Sequence, residues 1–315
     1  MIKLFLKITS YLILLLLALE GLVRFFHLAK DTPQRFIDHA KVEKWVPNQT
    51  GISVTGIRRQ NSAKYRINTN GFNSYREFDP SKETFELALV GDSFIQGFHQ
   101  DYDNSIGKKI ENVTSDINVF EYGYAGYDFA DQIHLIHAYK NDFDLIDAIV
   151  IYIDFNTDLK RGTYQVIEDR VALQSPLNNI LKKCKLLVYI KSIGLLDPPK
   201  KIVANVINCL KSTTKVSVKD QQTKKVVDYS EVYMENFKKL IHQYGFEKQK
   251  SWLLLNSNTT PKVFLDYLHS HHFKVIDFYQ EFKNATKPTF LIYDQHWNNY
   301  GRSLIAKQIS ESIDH

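Results

Sequence analysis

Four short stretches of the 315-residue chain carry side chains that together could move an acyl group. In "LALVGDSFIQGF" an apolar run ends in Gly91-Asp92-Ser93. In "FEYGYAGYD", Gly123 and Gly126 follow a second apolar run, and in "IYIDFNTDL" Asn156 follows a third. Near the end, "LIYDQHWNNYG" brings Asp294 and His296. A serine hydroxyl is a weak nucleophile at its own pKa and needs an imidazole to take its proton. His296 is the candidate base, which would later protonate the leaving alcohol. Asp294 is the group that would fix the imidazole tautomer and stabilise its cation. The backbone N–H groups of Ser93 and Gly126 and the side-chain amide of Asn156 are candidate donors to the oxyanion of a tetrahedral intermediate. Losing one such donor costs about 3 kcal/mol.

Each residue also has a plain structural use. Ser93 fits a helix cap, since its oxygen can accept an orphan backbone N–H. The glycines fit turns, Asn156 fits a cap, and His296 is one of eleven histidines. Their order, and their place after strands, favour the chemical use. At a helix N-terminus Ser93 also gains from the positive end of the dipole. Asp92 reads as a structural hydrogen-bonder of its loop. His99, His134, His137 and the pair His271-His272 lack a strand-end position and read as ordinary side chains. There is no Gly-rich phosphate loop and no H-E-x-x-H, so neither cofactor nor metal is expected.

The elements that must position these residues alternate. "FELALVGDS", "INVFEYG", "LIDAIVIYIDFN", "SWLLLNSN" and "KVIDF" read as strands. "SIGKKIENV", "FADQIHLIHAYKNDF", "VYMENFKKLIHQYGF", "TPKVFLDYLHSHHF" and residues 299–313 read as helices. Continuous apolar strands alternating with helices predict an α/β fold with a doubly wound parallel sheet covered on both faces. Ligands of such sheets bind at the carboxyl ends of the strands, where the four stretches fall. Residues 29–84 read as a β-rich lead-in with a turn at Asn70-Gly71. Residues 175–227 form an insertion, helical as far as 210, broken at Asp197-Pro198-Pro199, then polar and lysine-rich from 211.

The N-terminal stretch "MIKLFLKITSYLILLLLALEGLVRFFHLAK" can span a bilayer from residue 4 to residue 28. Its charges Glu20 and Arg24 stand four apart on one helix face and can pair. Counted from residue 4, Lys7 and Arg24 snorkel; Lys3, Lys7 and the amino terminus, ahead of the apolar run from Ile8, favour that end inside, leaving the rest of the chain outward. A retained anchor over residues 1–28 is the expectation. A cleaved signal peptide is the rival, disfavoured by the lack of a small-x-small site, and a buried core helix is a further alternative. Net charge is +5, with +9 in residues 182–225 alone. That stretch suits a solvated face or anionic headgroups. With almost no arginine it does not suit nucleic acid. Cys184 and Cys209 permit one disulfide in an oxidising compartment.

In order and type, the blocks resemble the SGNH, or GDSL-type, hydrolase superfamily over roughly residues 60–313. Gly91-Asp92-Ser93 matches its first block, with Ser93 as nucleophile. Gly126 matches its second, Asn156 its third and His296 its last. The resemblance implies a flavodoxin-like three-layer sandwich over 85–315 and an oxyanion hole of Ser93, Gly126 and Asn156. Two departures stand out. In Asp154-Phe155-Asn156-Thr157 only the asparagine of the family's G-x-N-D block is kept. In the last block Tyr293 stands three before His296, with Asp294 two before it. The D-x-H form followed by "WN" looks like membrane-anchored bacterial members related to polysaccharide O-acetyltransferases. Three functions follow as expectations. One is hydrolysis of an O-acyl ester, such as an O-acetylated carbohydrate. Another is transfer of the same acyl group to a sugar. The last is a catalytically silent cell-envelope binding or assembly protein on the same fold. A lid formed by part of 160–245 is a further expectation.

Overall fold

The computed structural model describes residues 1–56, 59–172, 175–195, 229–292 and 294–313. The Asp197-Pro198-Pro199 break, Cys209 with its pairing to Cys184, the lysine-rich segment 211–227 and Tyr293 lie outside these residues. Helix α1 (Ile2–Phe25) is long and apolar enough to cross a bilayer. A signal sequence passes the same test. Its side chains from Ile2 to Leu17 stand almost wholly exposed, so α1 is not a core helix of the domain. Glu20 and Arg24 pair on it as their spacing predicts.

The lead-in supplies two small antiparallel pairs. β1 (Arg35–Ile37) pairs with β2 (Glu43–Trp45), and β3 (Thr50–Thr55) with β4 (Asn61–Arg66). The turn at Asn70-Gly71 forms with Gly71 at φ +89, a conformation that favours glycine. Trp45, Tyr65, Phe72 and Phe78 are buried in one cluster with Phe120 and Tyr122. The lead-in therefore shares its core with the sheet that follows.

That sheet has five parallel strands: β5 (Phe85–Gly91), β6 (Ile117–Gly123), β7 (Ala148–Tyr152), β8 (Ser251–Leu255) and β9 (Lys274–Asp277). Their order is β6-β5-β7-β8-β9, the doubly wound order with its switch between β5 and β7. All five lie where the apolar runs predict them. Alternate residues go to opposite faces, as the strand period of two requires. Ala88, Val90, Ile149, Ile151, Leu253 and Leu255 belong to one core cluster. Leu87, Leu89, Val150 and Leu254 belong to the other.

The connecting segments form α2 (Ser93–Gln96), α3 (Ile106–Val113), α4 (Phe129–Ala138), α5 (Lys140–Leu145), α6 (Phe155–Asp158), α7 (Glu168–Ala172), α8 (Pro176–Lys183), α9 (Lys185–Ser192), α10 (Ser230–Tyr244), α11 (Lys262–Ser270), α12 (Tyr279–Lys283) and α13 (Asn299–Ser312). Helices α4, α10 and α11 bury Phe129, Phe237 and Phe264 on one face of the sheet. Helices α3 and α13 bury Ile106, Ile110, Ile305 and Ile309 on the other. The helix expected over "FADQIHLIHAYKNDF" is instead two, broken at Tyr139. The Tyr139 hydroxyl bonds to Asp38 and accepts from Lys44 at 2.6 Å, which ties that point of the chain to the lead-in.

Gly123 closes the top of the sheet. A Cβ there would fall 2.1 Å from the backbone nitrogen of Gln96, so β6 and α2 can meet only at glycine. Gly123→Ala is expected to cost about 1–3 kcal/mol, as overpacking of rigid backbone does. A thermal or denaturant melt of the variant checks it, and an unchanged midpoint would show that the contact is slack.

Candidate active site

The carboxyl ends of three adjacent strands meet the loop before α13. β5 runs through Gly91 and Asp92 into Ser93, the first residue of α2. That helix is a single turn, so the dipole expected to assist Ser93 is short. The Ser93 side chain lies 2.7 Å, Oγ to Nε2, from His296. On its other side His296 Nδ1 bonds to Asp294 Oδ1. The same oxygen accepts the backbone N–H of His296 at 3.1 Å. Asp294 thus grips His296 twice from a spacing of only two residues. Nδ1 carries the proton facing the carboxylate, and the Nε2 lone pair faces Ser93. This arrangement can deprotonate an alcohol and stabilise the cation that results.

The loop is stiff for local reasons. Trp297 is 1% exposed and packs on Phe94, Tyr152 and Phe278. Asn298 caps α13 through the Gly301 N–H at 2.9 Å, and its amide donates to the carbonyls of Pro288 and Phe290. The Leu291 N–H donates to the His296 carbonyl at 2.9 Å.

A residue read as ordinary belongs here. His99 stacks on His296, ring centroids 3.9 Å apart and 21° between planes. Its Nε2 lies 3.1 Å from Asp294 Oδ2, so the carboxylate is shared by two imidazoles. The reading of His99 as an uninvolved side chain is therefore corrected. The only sequence signal was its nearness to Ser93 along the chain. Burial, then His296, then Arg302 hold His99 down to about 4, against the pull of Asp294. It is thus neutral near pH 7 and donates one Nε2 proton. Burial opposes charge on Asp294, but its bonds from His296 and the proximity of His99 outweigh that and hold its carboxyl below the usual range. His99, Asp294 and His296 have ligand atoms within 4.8 Å of one another, close enough for a divalent metal. Those atoms are spent on each other, which suits a hydrogen-bonded chain better than an open coordination site.

Ser93 and Gly126 line one cavity of about 470 Å³ together with Asp92, Asp154, Arg170 and His296. Gly126 sits at φ +95, and its carbonyl accepts from Arg170. Neither Ser93 nor Gly126 has a partner for its backbone N–H among the described residues, so both donors remain for a ligand. Asn156 does not join them. It lies on the exposed side of α6, and its amide donates to the Thr259 carbonyl at 3.1 Å. The physical reason is the turn itself. Asp154 caps α6 by accepting the Asn156 N–H at 2.9 Å, which puts Asp154 and Thr157, three apart, on the cavity side. The expected third oxyanion donor is thereby replaced by an acid. Two more acids stand nearby. Burial, with Asp154 beside it, raises Asp92 to about 7. Burial, then Asp92, raises Asp158 well above the ordinary carboxyl range. A larger groove of about 940 Å³, between Gly162, Lys238 and Tyr267, lies apart from Ser93 and His296.

No protein-family profile matches the sequence, and no curated protein matches it. Solved structures with some likeness include a member of the lipolytic G-D-S-L family from Veillonella parvula. It is 16% identical with a TM-score of 0.37, over 72% of this chain and 97% of that one. A lipase/acylhydrolase from Enterococcus faecalis is 13% identical with a TM-score of 0.38, over 73% and 95%. A catalytic mutant of an acetylxylan esterase from Geobacillus stearothermophilus is 11% identical with a TM-score of 0.36, over 74% and 96%.

His99 makes a testable mark on stability. Its folded pKa of about 4 lies below the ordinary 6.5. Between those values the unfolded chain binds a proton that the folded chain refuses. The stabilisation is whole above about pH 6.5 and is lost as pH falls toward 4. Asp92 acts with the opposite sign, because its folded pKa is raised, but it is common to wild type and variant. Against His99→Phe, the wild type should therefore lose up to about 3 kcal/mol more stability from pH 7 to pH 4. Denaturant melts across that window measure the difference, and parallel curves would contradict it.

Proposed function

We propose that the chain is a membrane-anchored serine esterase of the SGNH superfamily, acting on carboxylic O-acyl esters such as O-acetylated carbohydrate. One observation carries this: Ser93 Oγ lies 2.7 Å from an imidazole that Asp294 holds from behind. Ser93 Oγ attacks the ester carbonyl while His296 Nε2 takes its proton. The carbonyl π electrons move to oxygen, and the N–H groups of Ser93 and Gly126 receive the oxyanion. The intermediate collapses, the C–O bond to the alcohol breaks, and His296 returns the proton to the leaving alcohol. Water, deprotonated by His296, then attacks acyl-Ser93; the bond from the acyl carbon to Ser93 Oγ breaks, His296 returns the proton to that oxygen, and the acid is released. His99 holds the second oxygen of Asp294 throughout and so acts through that carboxylate rather than on the ester. No step calls for a cofactor.

A sugar hydroxyl in place of water turns the same steps into acyl transfer, which is the runner-up. The α1 helix supports an anchored chain, with Lys3 and Lys7 supporting an inward amino terminus and a domain facing the periplasm or exterior. A catalytically silent binding protein is favoured by one observation only, the Asn156 amide held by Thr259 while Asp154 faces the cavity.

The full-length protein in detergent should hydrolyse p-nitrophenyl acetate, and Ser93→Ala should lower kcat by about 10⁴-fold or more. A serine-directed fluorophosphonate should label the wild type and spare the variant. Full activity in Ser93→Ala would end the esterase reading, and unlabelled wild type would favour the silent protein. With a sugar acceptor present, free acid as the sole product means a hydrolase, and an acylated sugar means a transferase.

A further inference from the structure

We propose that residues 175–195 are a membrane-surface hairpin, laid on the anionic headgroups of the leaflet from which α1 emerges. The proposal rests on α1 being a bilayer anchor. Helix α8 begins cleanly, with Ser175 accepting the Asn178 N–H and Pro176 at the first turn. Leu177, Ile180 and Leu181 are 66%, 64% and 43% exposed. Their spacing of three and four puts them on one face, so α8 carries an apolar stripe turned outward from the domain. A stripe of this kind on a short basic helix suits the boundary between headgroups and acyl chains.

The hairpin is fixed to the right level of α1. The N–H groups of Lys185 and Leu186, the first residues of α9, donate to the Glu20 carboxylate at 3.0 and 2.6 Å. Arg24 of α1 donates to the Lys183 carbonyl. Lys185 reaches the Lys30 carbonyl at 3.2 Å and pairs with Asp31, just past α1. Counted from residue 4, where the expected span begins, Glu20 is 16 residues in. At 1.5 Å per residue that is about 24 Å of a hydrocarbon layer about 30 Å thick. The junction of α8 and α9 therefore meets α1 near the outer boundary of the span, with Arg24 one turn further out. The same contacts satisfy Glu20, the one acidic group of α1, which a bilayer boundary would otherwise disfavour.

Charge agrees with the apolar stripe. Residues 175–195 hold four lysines and no acid. Lys183 and Lys191 are exposed, so the flank of the stripe presents cations to phosphate. An anionic lipid surface satisfies both features at once. The hairpin follows α7, whose Arg170 lines the Ser93 cavity. Docking it would hold that wall of the cavity near the bilayer.

The experiment uses the full chain in nanodiscs of phosphatidylcholine with about a third phosphatidylglycerol. In a Cys184→Ser/Cys209→Ser background, an environment-sensitive fluorophore is placed at Ile180→Cys, at Leu14→Cys within α1, or at the exposed Lys307→Cys of α13. Spin-labelled lipid quenches whatever lies in the bilayer. Quenching at 180 should exceed that at 307 by about threefold or more, with a blue-shifted emission. Lys183→Glu/Lys191→Glu should move the probe at 180 toward water. A probe at 180 as wet as the one at 307, with 14 strongly quenched, would overturn the hairpin and leave the anchor standing. So would a probe at 180 that is dry but unquenched, because protein would then cover the stripe. A wet probe at 14 would remove the anchor and the hairpin with it. None of these outcomes touches the esterase chemistry of Ser93.

Discussion

The contact between Ser93 Oγ and His296 Nε2 joins residues 203 positions apart, and most of the local structure serves to keep it at 2.7 Å. From the serine side, β5 delivers the chain to a fixed height, and the Gly123 contact presses β6 against α2 so that the turn cannot drift. From the histidine side, a large indole does the work. Burying about 200 Å² of tryptophan contributes about 5 kcal/mol, more than the roughly 1 kcal/mol of a single neutral hydrogen bond. Trp297 therefore sets where the loop sits, and the polar contacts of Asp294 and Asn298 set how it is turned.

The electrostatics of the cavity pull in two directions. In the proposed reaction an oxyanion beside Ser93 would have two N–H donors and an arginine-bearing wall, in a cavity also lined by Asp92, Asp154 and Asp158. At about 4 Å, one ionised carboxylate opposes one oxyanion by about 4 kcal/mol in a partly polar site. That is as large as the gain from a hole donor. Burial resolves much of the conflict. It raises Asp158 well above the ordinary carboxyl range and Asp92 to about 7. Asp92 and Asp158 are thus held back from ionising in that wall. A hole with an amide at position 156 would have been simpler, and the Asp154 cap is what excludes it.

The sheet was legible because its central strands β5, β7 and β8 are largely buried and read as mainly apolar runs, with the edge strands β6 and β9 following the same alternation with helices. Ser93 and Gly126 could be picked out because strand ends in such a sheet converge, and Asp294 and His296 because the block before the last helix resembles the family's last block. Asn156 passed the same test of position, yet a one-turn helix rotates its residues by about 100° each, and that rotation is not written in strand-end placement. The asparagine points to Thr259 and its neighbours Asp154 and Thr157 point inward. His99 was illegible for a different reason. Its partners lie almost two hundred positions away, and a lone histidine in a turn has no periodicity to betray it. The break at Tyr139 likewise depends on Asp38 and Lys44, which only the folded chain brings near.

The β-rich lead-in explains why a remote segment matters to the imidazole pair. The Asn61 amide donates to the His99 carbonyl at 2.7 Å, and the Lys64 N–H donates to Asp101 at 2.7 Å. Phe98, next to His99, is stacked between Tyr65 at 4.8 Å and Trp45 at 5.8 Å. The second imidazole is thus held by β2 and β4 rather than by the sheet that carries Ser93. β3, the partner of β4, is in turn tied to the end of α1, since Asp31 accepts the Ile52 N–H at 2.8 Å while pairing with Lys185. The path from α1 through Asp31, β3, β4 and His99 to Asp294 is continuous in hydrogen bonds and packed rings. A domain built this way ties its site to α1, because the strands that hold His99, which shares Asp294 with the candidate base, are the ones that join the segment after the apolar helix.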